Sequence, residues 1–189
     1  INPEFYEREK KIRKNVKNVM ISFGLIDSKN YTAKVLEIIH KSKFDLKFEN
    51  IYVAMNSESK FIPELRKIIK KFKCNVIMKE FGNDLITVVK SCDLAIGSGG
   101  VGMCERLCSG IPSIVILSSK NQVGISEKLQ KKKAIVRLNF LKIFDENKFQ
   151  HSLSDILLDF QKRKKFSRIG RKIFDGNGVI RIAKTLNKL

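Results

Sequence analysis

The sequence contains no tryptophan and only three tyrosines, so it has little of the flat aromatic surface on which proteins stack unpaired bases. No apolar run approaches the ~20 residues that cross a bilayer. The opening residues, Ile1-Asn2-Pro3-Glu4-Phe5-Tyr6, also lack the apolar centre of a secretory signal. A cytoplasmic protein with no membrane partner is the expectation. Cysteine is scarce and unpaired in pattern: Cys74, Cys92, Cys104 and Cys108 include no CxxC. Cys104 and Cys108 lie one helical turn apart, but no histidine or second cysteine pair stands nearby to complete a tetrahedral site. All four read as small core residues, and neither metal nor cofactor is expected. The two histidines, His40 and His151, sit in polar contexts and read as surface residues. No nucleophile has a base beside it, and no carboxylates pair at a glycosidase spacing. A catalytic residue is therefore not expected in this chain.

Acidic residues are few: 19 Asp and Glu face 38 Lys and Arg, a net charge of +19. Such an excess raises nucleic acid as a partner, because clustered cations neutralise phosphates and release counterions. Here the cations recur along helix faces, as in Arg66-Lys67 with Lys70-Lys71, Lys128 with Lys131-Lys132-Lys133, and Lys162 to Lys165. That spread argues for solvated helix faces over a nucleic-acid site. A chain of 189 residues, 43% of them hydrophobic, suits one domain with a sizeable core.

The most informative stretch runs from Asp93 to Gln122. An apolar strand, Asp93-Leu94-Ala95-Ile96, opens into Gly97-Ser98-Gly99-Gly100-Val101-Gly102, and a helix carrying Glu105 follows. Backbone N–H groups at a helix start, backed by the helix dipole, form an anion site that glycines let a phosphate approach. The candidate phosphate residues are Ser98, Gly99, Gly100, Val101 and Gly102, joined by Gly24 at the end of the first strand.

Around that stretch the punctuation alternates strand and helix. Strands are predicted over Asn18–Phe23, Ile51–Met55, Asn75–Met78, Leu94–Ile96, Ser113–Leu117 and Ala134–Arg137. Helices are predicted over Tyr31–Ser42, Ile62–Phe72, Leu85–Ser91, Val101–Ser109, Ile125–Lys133, Lys148–Arg163 and Val179–Leu189. Strict alternation implies an α/β fold, a Rossmann-like doubly wound parallel sheet of about six strands. In such sheets ligands bind at the carboxyl ends of strands where the order reverses, and both glycine turns fall at carboxyl ends. Residues Pro3 to Lys17 are charged, largely helical in composition and poor in core residues. They read as an interdomain connector (residues 1–17) ahead of a nucleotide-phosphate-binding domain (residues 18–189), which the resemblance given below makes a nucleotide-sugar-binding domain.

Taken together, Ile21-Ser22-Phe23-Gly24 with Asp27, Asp93 to Gly100 with Glu105-Arg106, Gly110-Ile111-Pro112-Ser113-Ile114-Val115-Ile116 with Asn121-Gln122, and the tail Phe174 to Ala183 resemble one family. It is the C-terminal half of the UDP-sugar hydrolases of pseudaminic acid biosynthesis, GT-B-fold relatives of the MurG-type glycosyltransferases. The likeness implies the C-terminal domain of a GT-B fold that binds the UDP of an activated diacetamido sugar. It implies further that the loop Gly97 to Gly102 holds the diphosphate and that Glu105 accepts from the ribose hydroxyls. Asp27, Asn121 and Gln122 would lie near the sugar or diphosphate. On the residues alone, Glu105 also suits helix-dipole compensation, Asp27 an N-cap, and Asn121-Gln122 an ordinary turn.

Two departures accompany the likeness. The family shows two adjacent glycines after the first strand where this chain has Gly24-Leu25, and small hydroxyl residues where it has Val101-Gly102-Met103. The histidine associated with water activation belongs to a glycine-rich turn of the family's N-terminal domain, and no such segment occurs here. The resemblance therefore implies half of an enzyme, with a missing N-terminal catalytic domain as partner. The alternatives are a non-catalytic module fused to or partnered with an acylneuraminate cytidylyltransferase, half of a MurG-like glycosyltransferase and, more remotely, a basic nucleic-acid-binding protein.

Overall fold

The computed structural model describes residues 1–82 and 84–187. Asn18–Ser22 (β1), Asn50–Ala54 (β2), Asn75–Lys79 (β3), Leu94–Gly97 (β4), Ser113–Ile116 (β5) and Val136–Leu138 (β6) form one parallel sheet in the order β3-β2-β1-β4-β5-β6. The α/β, doubly wound architecture expected from the alternation is the one observed. The order reverses between β1 and β4, which lie side by side with Ser22 opposite Gly97. A loop leaving either carboxyl end therefore opens into the same crevice.

Strands buried on both faces must be apolar throughout, and Leu94, Ala95 and Ile96 are each fully buried. Alternate residues feed opposite layers. Val19 and Ile21 join Leu36, Ile39, Phe149 and Leu153 on one side. Met20 and Ala95 join Val89 and Cys92 on the other. The helices are Tyr31–Lys41 (α1), Ile62–Ile69 (α2), Asp84–Ser91 (α3), Val101–Cys108 (α4), Val123–Lys131 (α5), Glu146–Leu158 (α6), Phe160–Ile173 (α7) and Gly178–Leu186 (α8). Among the described residues no helix is long and apolar enough to cross a membrane. The cysteines are free thiols.

Three expectations are corrected. The single helix predicted over Lys148–Arg163 is two, broken at Asp159, which leaves helical geometry (φ −90°, ψ 89°) and caps α7 by accepting from the Lys162 N–H at 2.8 Å. The terminal helix is described as far as Leu186; residues 188–189 of the range predicted to Leu189 lie outside the described residues. Nor is the segment from Pro3 to Lys17 helical: beyond a 3-10 turn at Pro3–Phe5 it contains no helix.

That segment is strapped to the domain instead. Ser109 Oγ donates to the Phe5 carbonyl at 2.7 Å, and Arg171 donates to the carbonyls of Glu7 and Arg8. Arg163, a residue expected on a solvated face, is fully buried. It donates to the carbonyls of Ile156 and Leu157 at 2.7 Å and of Arg13 and Lys14 at 3.3 and 2.5 Å. Asp93, at the foot of β4, accepts from Arg13 at 3.1 Å and from the N–H groups of Lys17 and Asn18 at 2.9 Å.

Candidate functional site

The crevice begins where β1 and β4 touch. A Cβ at Gly97 would stand 2.0 Å from the Ser22 carbonyl oxygen, so no other residue fits there without moving a strand. The Ser98 N–H donates to that same carbonyl at 3.1 Å and closes the junction. Gly100 then precedes α4 in extended geometry with open space around it, and no side chain among the described residues caps the helix. The first N–H groups of α4 are thus left for water or a ligand, at the positive end of the helix dipole.

Gln122 sets the shape of this turn from 23 residues away. Its Oε1 accepts from the Gly99 N–H and the Ser118 N–H, both at 3.1 Å, while its Nε2 donates to Ser118 Oγ at 2.9 Å. Gly99 is in close contact with it, since a Cβ there would stand 3.2 Å from the Gln122 Cβ. The amide pins the loop after β4 to the loop after β5, and the Gly99 N–H is engaged within the protein. Asn121, its exposed neighbour in the 3-10 turn Lys120–Gln122, accepts from Ser119 Oγ.

Asp27 lies between Gly24 and the start of α1. Its two carboxylate oxygens accept from the N–H groups of Tyr31 and Thr32, each at 2.9 Å, and hold the start of α1. Burial raises its pKa, opposed by the bonds from Thr32 and Tyr31. Gly24 (φ +84°) and Asp27 (φ +37°) carry the left-handed geometry of the loop. Leu25 is spared that strain and projects its side chain outward, 60% exposed. Val101 and Ile26 are likewise exposed at the carboxyl-end loops.

Glu105, one turn into α4, is half-buried, and its Oε2 lies 3.8 Å from where a Gly102 Cβ would stand. The carboxylate therefore leans back over the loop. Sequence reasoning assigned no role to Arg106, which is 2% exposed directly beneath the turn. Its Nη2 donates to the Ser98 carbonyl at 2.8 Å, and its Nη1 would lie 3.3 and 3.4 Å from Cβ atoms placed at Gly97 and Gly102. Its Nε has no hydrogen-bond partner among the described residues. Burial lowers the guanidinium pKa to about 10, with the nearby Glu105 charge opposing, so a cation remains at neutral pH without a direct ion pair. A buried cation beside a helix N-terminus favours an anion.

No protein-family model matches the chain. SpsG, a spore coat polysaccharide biosynthesis protein of Bacillus subtilis, is 27% identical over 178 residues, covering 94% of this chain and 52% of SpsG. The uncharacterized protein MJ1062 of Methanocaldococcus jannaschii is 32% identical over 146 residues, 74% of this chain and 30% of that protein. The chain thus spans about half or less of the curated relatives it matches. Among solved structures, MurG of Acinetobacter baumannii superposes with a TM-score of 0.73 at 13% identity, over 99% of this chain and 52% of MurG. The C-terminal domain of a group 1 glycosyl transferase, LpcC of Francisella tularensis, gives 0.69 at 13% identity and is covered over 95% of its length by 91% of this chain. UDP-GlcNAc 2-epimerase of Neisseria meningitidis, bound to UDP-GlcNAc, gives 0.66 at 15% identity over 94% of this chain and 46% of the epimerase. The fold is the Rossmann-like parallel sheet of a GT-B domain.

Proposed function

We propose that this chain is the nucleotide-sugar-binding half of a GT-B enzyme, and specifically of a hydrolase that releases UDP from an activated diacetamido sugar in nonulosonic acid biosynthesis. The observation that carries the reading is the buried Arg106 guanidinium lying beside the uncapped start of α4, at the point where the strand order reverses. In this reading the N–H groups of Gly100, Val101 and Gly102 receive the diphosphate. Arg106 supplies fixed positive charge from beneath, and Gln122 holds the turn in shape. Glu105 accepts from the two ribose hydroxyls, for which a half-buried carboxylate one turn into the helix is well placed. The likeness to a polysaccharide biosynthesis protein and to a UDP-sugar-bound epimerase supports a nucleotide-sugar ligand.

Water activation is assigned to a second domain, which would close the other side of the crevice. A glycosyltransferase half is the second reading, favoured by the superposition on MurG. Turnover with an acceptor but not with water would select it. The test of the shared premise is calorimetric titration with UDP, with CMP and GDP as controls. Saturable binding that prefers UDP is expected, and Glu105→Gln should weaken it by about 1–3 kcal/mol. Equal affinity in the Glu105→Gln variant would remove Glu105 from the site; no nucleotide binding would favour the non-catalytic module.

A further inference from the structure

A second concentration of unneutralised charge lies away from the crevice, where α7 faces the strapped N-terminal segment. An open cavity of about 700 Å³ there is lined by Lys10, Lys164, Lys165, Arg168 and Arg171, with no acidic residue among its lining groups. Its volume falls in the range of small-molecule sites. Two features separate it from an ordinary solvated helix face. Ser167, only 2% exposed, belongs to the cavity wall, and its buried hydroxyl has no hydrogen-bond partner among the described residues. Arg171, whose Nη1 grips the strap, keeps a buried Nε without a partner among the described residues.

Buried donors left unpaired cost free energy, so their presence at the wall of a cationic cavity marks a place where an acceptor belongs. Burial holds the Lys10 ammonium below its ordinary pKa, opposed by the nearby carboxylates of Asp93 and Glu7, and the ammonium donates to the Lys90 carbonyl. We propose that this cavity is a second ligand site, for a small soluble molecule bearing two or more phosphoryl groups. The arginine fork and lysine ammonium groups would meet the phosphate oxygens, and Ser167 Oγ and Arg171 Nε would donate to those that reach deepest. Phe160 at the rim is a single half-buried ring. It offers a face for one base and no platform for a strand, which favours a small molecule over nucleic acid.

The site is independent of the proposed UDP crevice, and its test separates the two. Inorganic tripolyphosphate is titrated calorimetrically into the whole chain at about 0.15 M salt, where exposed charges are screened beyond roughly 8 Å. One saturable site is expected, and its affinity should be unchanged by saturating UDP. Lys164→Glu with Arg168→Glu, both exposed positions, should weaken it at least tenfold, and Ser167→Ala several-fold. Arg66→Glu with Lys67→Glu, the same charge change placed on α2, should leave it unaltered. Equal losses in both double variants, an unaltered affinity in Ser167→Ala, or competition with UDP would overturn the proposal. So would binding only to vesicles containing a phosphoinositide, or only to a single-stranded oligonucleotide.

Discussion

Replacing Gly97 with alanine perturbs the junction on which the crevice is built. The new methyl would stand 2.0 Å from the Ser22 carbonyl oxygen, about 1 Å short of the nearest real contact, and the obstacle is main chain that cannot rotate aside. β1 and β4 would have to part at their carboxyl ends, which also removes the Ser98–Ser22 hydrogen bond of 3.1 Å. Overpacking of this kind costs about 1–3 kcal/mol and the lost bond about 1 more, giving a destabilisation of roughly 2–4 kcal/mol. In a chain of this size that lowers Tm by roughly 4–16 °C. Urea unfolding followed by far-ultraviolet circular dichroism measures it, with Gly100→Ala as the control. Gly100 has open space around it and φ −84°, so alanine there should change stability by less than about 0.5 kcal/mol while its methyl obstructs the α4 N–H groups and weakens UDP. Gly97→Ala within about 0.5 kcal/mol of the parent would refute the reasoning.

Three further outcomes are expected. Arg106→Met gives up the bond to the Ser98 carbonyl but also relieves a buried cation, so stability should move by less than about 1 kcal/mol while the Kd for UDP rises at least about tenfold; an unchanged Kd would sink the role given to Arg106. Arg163→Met orphans four carbonyls, which should lower stability by about 3 kcal/mol or more and open Lys10 to Lys17 to trypsin; an unaltered cleavage pattern would show that the strap is held elsewhere. The hydrogen bond from Arg181, then that from the Asn177 N–H, hold the Asp175 carboxyl down at about 2, below its ordinary 3.8. A depressed carboxyl contributes stability above its ordinary range and loses it as pH falls through about 2. Carbon-detected NMR titration of Asp175 with a midpoint near 3.8 would contradict the pair.

The sheet was legible because both of its signals are local. Apolar runs such as Leu94-Ala95-Ile96 announce strands buried on two faces, and the glycines that follow announce a turn and a helix start. The two important arginines were harder to see, because a charge in a helix reads as solvated. Yet a signal was present. Met103, Arg106 and Leu107 share one helical stripe, as do Arg163, Phe166, Ser167 and Gly170, and each stripe is the buried one. A cation on an apolar stripe must find carbonyls or an anion, and that inference needed no coordinates. The contact between Gln122 and Gly99 is a different matter, because it joins loops that only the pairing of β4 with β5 brings together. The break at Asp159 lacked the usual glycine or proline. There the aspartate caps α7 in place of extending α6.

Those carbonyl contacts bear on how freely the N-terminal strap is able to vary. Arg163 and Arg171 grip main-chain oxygen atoms of Glu7, Arg8, Arg13 and Lys14, a feature every amino acid supplies alike. Substitutions along the outward side of residues 7–14 therefore leave the grip intact, and the surface they present can be rewritten without rerouting the chain. Tolerance along the strap and intolerance at the two arginines are two sides of one arrangement, in which the conserved quantity is a path through space and the variable one is its decoration.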